Sequence, residues 1–292
     1  MVSSFRAGAI VVTRLGPPDL GECFAFLDRD PVTNVYLQAL LLRDALGRPR
    51  DEFWAARRDG AIVGLLHLGG GSGAVLAQGE DAEAMRCLGE QARLRLPHLP
   101  PRFQVIGPRA ALEPFLQRFS RPGAEPRLDR DQIYMALAPG ALPPFERLPE
   151  LLPAAPPDVP LVHESGARLR IEELGEDPRE VDPEGYLRRV TEECRDGHTF
   201  LWKDAEGLCF RASVSALTAD AAQISGVFTP PGRRRHGYAT RALSELCVRL
   251  FERAGAVCLF VNEINQPAVR LYRRLGFAGH ASWRSLFYDT RV

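Results

Sequence analysis

At 292 residues the chain is long enough for two domains of ordinary size. Hydrophobic residues make up 45% and charged residues 25%, the mixture of a globular protein. A formal net charge of zero excludes a broad electrostatic footprint for nucleic acid or an anionic membrane, so neither is expected as a partner, although local basic patches stay open. Lys203 is the only lysine; arginine carries the rest of the positive charge. The cysteines (Cys23, Cys87, Cys194, Cys209, Cys247 and Cys258) form no C-x-x-C pair. They read as small core residues of a reduced, cytoplasmic protein, with no disulfide framework and no metal site. Residues 1–15 lack the apolar stretch of a signal peptide, and no run is long enough to span a membrane.

In chain order, a β-like run at Ile10-Val11-Val12-Thr13 opens the first half, and Asp30-Pro31-Val32-Thr33-Asn34 leads into a helix. Residues 53–57 and 62–68 read as a hairpin about Asp59-Gly60, and Gly69-Gly70-Gly71 as a mobile hairpin turn rather than a phosphate loop. Asp81 reads as a helix cap. Residues 103–106 run into a helix over 110–119, and 133–137 form a closing β-like run. Eight prolines then fall between Pro139 and Pro160. Proline fixes φ and lacks an N–H, so this stretch reads as an extended strap and not as a regular helix or central strand.

The second half repeats the order. Leu169-Arg170-Ile171 is β-like; 199–202 and 208–217 flank the turn Glu206-Gly207; a strand over 257–261 runs into a helix from Pro267; and 285–288 close it. The shared order predicts a tandem duplication. The expected domains are 1–138, a proline-rich linker over 139–165, and 166–292. The expected fold class is α/β (α+β), each domain a mixed, mostly antiparallel sheet flanked by helices.

Residues 208–217 and 222–229 form a predicted hairpin about Thr218-Ala219-Asp220, stopped by Pro230-Pro231-Gly232. After an arginine-rich turn, Ala239, Ala242, Leu243, Leu246, Cys247, Leu250, Phe251 and Ala254 mark the apolar stripe of a helix, with Gly255 expected at its C′ position. A loop just ahead of a helix suits phosphate, because the helix N-terminus offers free N–H groups and a partial positive charge. Gly237 and Ala239 let the backbone approach closely, and Arg233, Arg234 and Arg235 add forked donors. Further on, Asn265 reads as an N-cap, Pro267 as a first-turn residue and Gly276 as a helix stop. Ala268, Leu271, Tyr272 and Leu275 share a face, which points Tyr272 inward, where a phenol usually finds a partner.

Arg234-Arg235-His236-Gly237-Tyr238-Ala239 resembles the R/Q-x-x-G-x-G/A signature of the GNAT superfamily of N-acetyltransferases. Asn265, Ala268, Leu271, Tyr272, Leu275, Gly276 and Phe277 are similar to its second motif, N-x-x-A-x-x-L-Y-x-x-L-G-F. The resemblance implies two tandem GNAT-like domains, acetyl-CoA as co-substrate, and acetyl transfer to a primary amine acceptor, a small molecule or a protein N-terminus. It implies a cofactor-binding set of Val227, Phe228, Thr229, Arg234, Arg235, His236, Gly237, Tyr238, Ala239, Thr240 and Asn265. Val227, Phe228 and Thr229 would pair with the pantetheine arm, and an N–H near Val227 or Phe228 would meet the developing oxyanion. Tyr272 would protonate the leaving thiolate; packing alone is the other reading. Glu263 is the candidate base, or else an exposed residue at a strand end, with Glu192, Glu193 and His198 behind it. The first half lacks the loop string: Gln78-Gly79-Glu80-Asp81-Ala82 would repel phosphate, and Phe115 stands at the tyrosine position. It therefore reads as a degenerate copy, and it also resembles a domain that precedes GNAT modules in some bacterial proteins. The rival readings are a catalytically silent acyl-CoA-binding sensor, and an acyltransferase with a different acyl donor or an O-acceptor.

Overall fold

The computed structural model describes residues 8–121 and 123–290. The chain divides into two compact units. Of the described residues, the first comprises those up to 134, 262–264 and those from 279 on; the second comprises 135–261 and 265–278.

In the first unit, β1 (Val11–Arg14), α1 (Leu20–Leu27) and α2 (Val35–Leu42) precede the antiparallel strands β2 (Asp51–Arg58), β3 (Ala61–Gly69) and β4 (Ala74–Gly79). Next come α3 (Ala82–Arg95), β5 (Arg102–Pro108), α4 (Arg109–Phe119) and β6 (Leu128–Leu137, its last three residues grouped with the second unit). Side chains alternate faces along a strand. Leu76 therefore joins Phe53 and Leu65 against α1 and α2, while Val75 and Ala77 join Leu66 and Leu68 against α3 and α4. Asp81 caps α3, its carboxylate accepting from the Glu83 and Ala84 N–H groups at 3.0 Å each, as expected.

The second unit contains β7 (Leu152–Pro153), α5 (Val159–Leu174), α6 (Pro178–Val181), α7 (Pro183–Arg195), β8 (Thr199–Asp204), β9 (Gly207–Leu217), β10 (Ala221–Phe228), α8 (Tyr238–Phe251), β11 (Ala256–Asn262, its last residue grouped with the first unit) and α9 (Gln266–Arg274). Strands β7 to β10 pair antiparallel in sequence order, and β11 pairs parallel with β10. Both halves are thus mixed, mostly antiparallel sheets flanked by helices, the expected fold class. Val162, Ala167, Tyr186, Val190, Cys194 and Leu201 form the core between α5, α7 and the sheet.

Several local expectations are corrected. Leu169-Arg170-Ile171 lies inside α5, not in a strand. Its three-residue β-like run is overridden by a 16-residue helix that buries Val162 and Ala167 and carries an i,i+4 pair, Glu164 with Arg168 at 2.7 Å. Pro160 sits in the first turn of that helix, the one helical place that tolerates it. The rest of the proline-rich stretch packs on the second unit. Leu148, Leu151 and Ala154 are buried, and β7 pairs with β8. The Gly255 expectation also fails: α8 ends at Phe251, and Gly255 instead donates its N–H to the Ala219 carbonyl at 2.9 Å.

The last strand, β12 (Ala278–Asp289), contains the run 285–288 expected to close the second half. It pairs antiparallel with β5 of the first, from Trp283↔Pro108 to Asp289↔Arg102. Leu286 and Tyr288 enter the first unit's core, with Tyr288 stacked on Phe103 at 4.8 Å. The edge of β5 left open by its parallel pairing with β4 is thereby filled.

Candidate active site

The candidate site of the second unit lies at the end of β10. Thr218 shapes the β9–β10 turn, its hydroxyl accepting from Asp220 and Ala221. Pairing of β10 with β11 runs from Ala221↔Ala256 to Ile224↔Leu259 and, among the described residues, goes no further. Pairing with β9 slips between Ser225↔Ser213 and Phe228↔Arg211, where β10 takes one extra residue. Gly226 holds the bulge with φ of +60°, in the left-handed region that favours glycine. A bulge leaves ladder groups unpaired, which is how a strand can aim an N–H at a ligand.

Beyond β10 the chain turns through Pro231–Arg233 and enters α8. Arg235 has φ of +66° and Gly237, the N-cap of α8, has φ of +83°. A left-handed non-glycine residue costs roughly 1–2 kcal/mol, so Arg235 is a site of stored strain. Left-handed residues beside a helix N-terminus aim consecutive N–H groups at one anion. A Cβ on Gly237 would meet nothing within 4 Å, so the space in front of the helix is open.

The three arginines differ in commitment. Arg233 is held by Asp204 and Glu206 at 2.9 Å each and donates to the Tyr238 hydroxyl at 3.2 Å. Arg234 donates to the Thr229 carbonyl at 2.9 Å and to both oxygens of Glu172 at 2.9 and 2.7 Å. Arg235 is exposed and makes no hydrogen bond or ion pair among the described residues. His236, Ala239 and Thr240 complete the loop and first turn; Thr240 is exposed and Ala239 half-buried. The buried Thr229 Oγ1 has no hydrogen bond among the described residues.

Asn265 caps α9, accepting from the Ala268 N–H at 3.3 Å, and Gly276 ends it with φ of +91°. Tyr272 points inward, buried against Phe277 with ring centroids 5.9 Å apart. Its hydroxyl makes no hydrogen bond among the described residues. Burial pushes the phenol well above its ordinary pKa, and the charge of Glu173 adds to this. Sequence reasoning missed Glu173 and Glu172 because both follow the run mistaken for a strand; the i,i+4 spacing of Glu164 and Arg168 was the available signal for a helix there.

Glu263 groups with the first unit, its N–H donating to the Asp131 carbonyl at 3.2 Å. Glu192 is exposed on α7. Glu193 accepts from the Thr199 hydroxyl at 3.2 Å and lies 4.0 Å from Arg211; His198 donates its backbone N–H to the Glu193 carbonyl. Arg211 is also a residue the sequence did not single out. Burial pulls its guanidinium below the usual value, and it donates to the Val162 carbonyl at 3.1 Å. Among the described residues no group of three His, Cys, Asp or Glu could hold a metal, and no helix is long and apolar enough to cross a membrane.

A sequence model of the acetyltransferase (GNAT) family matches residues 169–277. A search of curated proteins by sequence returns no match. Among solved structures, a Drosophila protein aligns with a TM-score of 0.66 at 14% identity, over 97% of this chain and 100% of its own. A GCN5-related N-acetyltransferase from Sphaerobacter thermophilus aligns with a TM-score of 0.60 at 19% identity, over 97% and 96%. A tandem GNAT protein from the clavulanic acid biosynthesis pathway aligns with a TM-score of 0.58 at 18% identity, over 97% and 99%. At such identities the likeness speaks for the fold alone, and it extends over both halves. The bulged strand, the helix N-terminus and the buried tyrosine all lie inside residues 169–277, and that stretch is a domain of the acetyltransferase (GNAT) family.

Proposed function

We propose that the chain transfers an acetyl group from acetyl-CoA to a primary amine, directly and within a ternary complex. The observation that carries this is the open N-terminus of α8, with Arg235 and Gly237 both left-handed in front of it. The residues fit a coenzyme A arm: an unobstructed helix N-terminus and an uncommitted guanidinium suit the pyrophosphate, and the orphaned Thr229 hydroxyl lies where β10 ends. When bound, acetyl-CoA supplies an acyl thioester and a thiolate leaving group.

The chain's own residues then divide the work. The N–H groups of Tyr238, Ala239 and Thr240, with Arg235, hold the phosphates, and Arg234, His236 and Gly237 shape the loop. Val227, Phe228 and Thr229 offer their backbone to the pantetheine arm. An N–H near Val227 or Phe228 stabilises negative charge developing on the acyl oxygen. Tyr272, kept protonated by its burial, donates a proton to the leaving sulfur. Asn265 fixes the start of the helix that carries it. Glu263 is the proposed acceptor of the amine's proton, with Glu173 as the second candidate because its charge acts on Tyr272.

Calorimetric titration of the full chain with acetyl-CoA, followed by thiol release in the presence of an amine panel, tests the reading. Saturable binding and amine-dependent thiol release are expected. Binding without release to any amine would leave a silent acyl-CoA-binding protein, and no binding would remove the basis of the proposal. Glu263→Gln and Glu173→Gln, assayed against pH, identify the base by which of them removes the acidic limb of the rate profile, where protonation of the base switches it off.

A further inference from the structure

The first unit carries a cleft that the proposed acyl transfer does not use. Its volume is about 360 Å³, within the ~300–1,000 Å³ range of small-molecule sites. It lies beside the end of α3, where Arg14, Arg50 and Arg95 share the lining with one carboxylate, Glu52. That carboxylate is consumed internally. Arg95 donates to both of its oxygens, through Nε at 2.9 Å and through Nη2, and the Trp54 indole donates at 3.1 Å. Arg14 lies 3.8 Å away. Burial pushes Glu52 up, but the hydrogen bonds from Arg95 and Trp54 and the charges of Arg95 and Arg14 outweigh this and keep it ionised. The neighbouring acid, Asp51, turns away toward Arg48 at 3.9 Å and His67 at 3.5 Å.

Two cationic or potentially cationic groups are left over. Neither the Arg50 side chain nor His98 makes a hydrogen bond or ion pair among the described residues. Residue 50 is nonetheless fixed by its backbone. Its carbonyl accepts the Gly70 N–H at 2.8 Å, and a Cβ on Gly70 would fall 2.5 Å from that oxygen. Pro49, Leu68 and Leu99 supply an apolar wall. A concave site with excess guanidinium and one spent carboxylate concentrates anions, and forked donors select paired oxygens.

We propose that this cleft binds a small organic oxyanion, a phosphate monoester or a carboxylate with an apolar body. Arg50 and Arg14 grip the oxygens, Arg95 is positioned by Glu52, and the apolar wall receives the body. The test is calorimetric titration of the full chain with phenyl phosphate and, separately, with benzoate, using benzyl alcohol as the neutral control. One-to-one saturable binding of at least one anion is expected, with none for the alcohol, and the tighter anion names the head group. Arg50→Ala should weaken it at least tenfold while leaving the fold intact, since that side chain has no partner to lose, and Arg14→Ala should weaken it as well. Gly237→Asp, in the loop of the second unit, should leave it unchanged. Saturable binding of neither anion, binding indifferent to Arg50→Ala, or binding abolished by Gly237→Asp would each overturn the assignment.

Discussion

Glu245 on α8 is 2% exposed and is the anchor by which the proline-rich stretch is held to the second unit. Its carboxylate accepts from Arg147 at 2.7 and 3.0 Å, from the Leu148 N–H at 3.0 Å and from Arg249 at 3.0 Å. Arg249 in turn donates to the Leu148 carbonyl at 3.2 Å. The Arg147 hydrogen bonds are the largest influence; burial opposes them, and the Leu148 N–H and Arg249 help to bring the carboxyl from an ordinary 4.5 to about 2. That difference corresponds to about 3 kcal/mol of stabilisation. Arg147 is 62% exposed, so water screens its share, and about 2 kcal/mol is the expected loss in Glu245→Gln. In a chain of this size that lowers Tm by roughly 4–8 °C. The folded carboxyl titrates below the unfolded one. Its contribution is therefore complete above about pH 5 and fades as pH falls toward 2. Denaturant unfolding of parent and variant at pH 7, 5 and 3 should show a gap at pH 7 that shrinks at pH 3. A gap under about 0.5 kcal/mol at pH 7, or one that stays constant to pH 3, would refute the reasoning.

Three further outcomes concern the second unit. Gly237→Asp forces a Cβ into a left-handed position and sets a carboxylate against the phosphates, so acetyl-CoA affinity should fall by about 10²-fold or more in calorimetry; unchanged affinity would move the phosphate site elsewhere. Tyr272→Phe keeps the buried ring and removes the proton, so kcat should drop about 10²-fold with acetyl-CoA Kd within twofold. Equal turnover would make Tyr272 a packing residue. Arg235→Ala should weaken acetyl-CoA binding about tenfold, whereas Arg233→Ala, whose charge already meets Asp204 and Glu206, should change it less than threefold. Titrations of both variants at one ionic strength decide between them.

The parts of the second unit that the sequence displays well are those written in consecutive residues. The cap, proline, apolar face and terminal glycine of α9 all lie within Asn265-to-Gly276 and all appear where their local chemistry puts them. The hairpin about Thr218 and the stripe on α8 are of the same kind. Misreadings arise where a short string has two meanings. Leu169-Arg170-Ile171 suits a strand by composition, yet it is helical because the surrounding residues bury a helical face. Gly255 looks like a helix stop, yet what needs a small residue there is its approach to the turn at Asp220, where a Cβ would lie 3.2 Å from a carbonyl oxygen.

Partnership over long sequence distances is invisible to such reading. Nothing in 285–288 says that its strand will pair with β5; only the open edge of β5 and the apolar side chains of Leu286 and Tyr288 explain that choice. The same limit applies to charge. Arg233-Arg234-Arg235 reads as three equivalent cations, but Asp204, Glu206 and Glu172 lie 27 to 62 positions away in sequence and neutralise two of them. What remains for an anion is one guanidinium and a helix terminus. The strain at Arg235 falls on that same residue: its backbone is left-handed, and its guanidinium pairs with none of the acids that hold its neighbours.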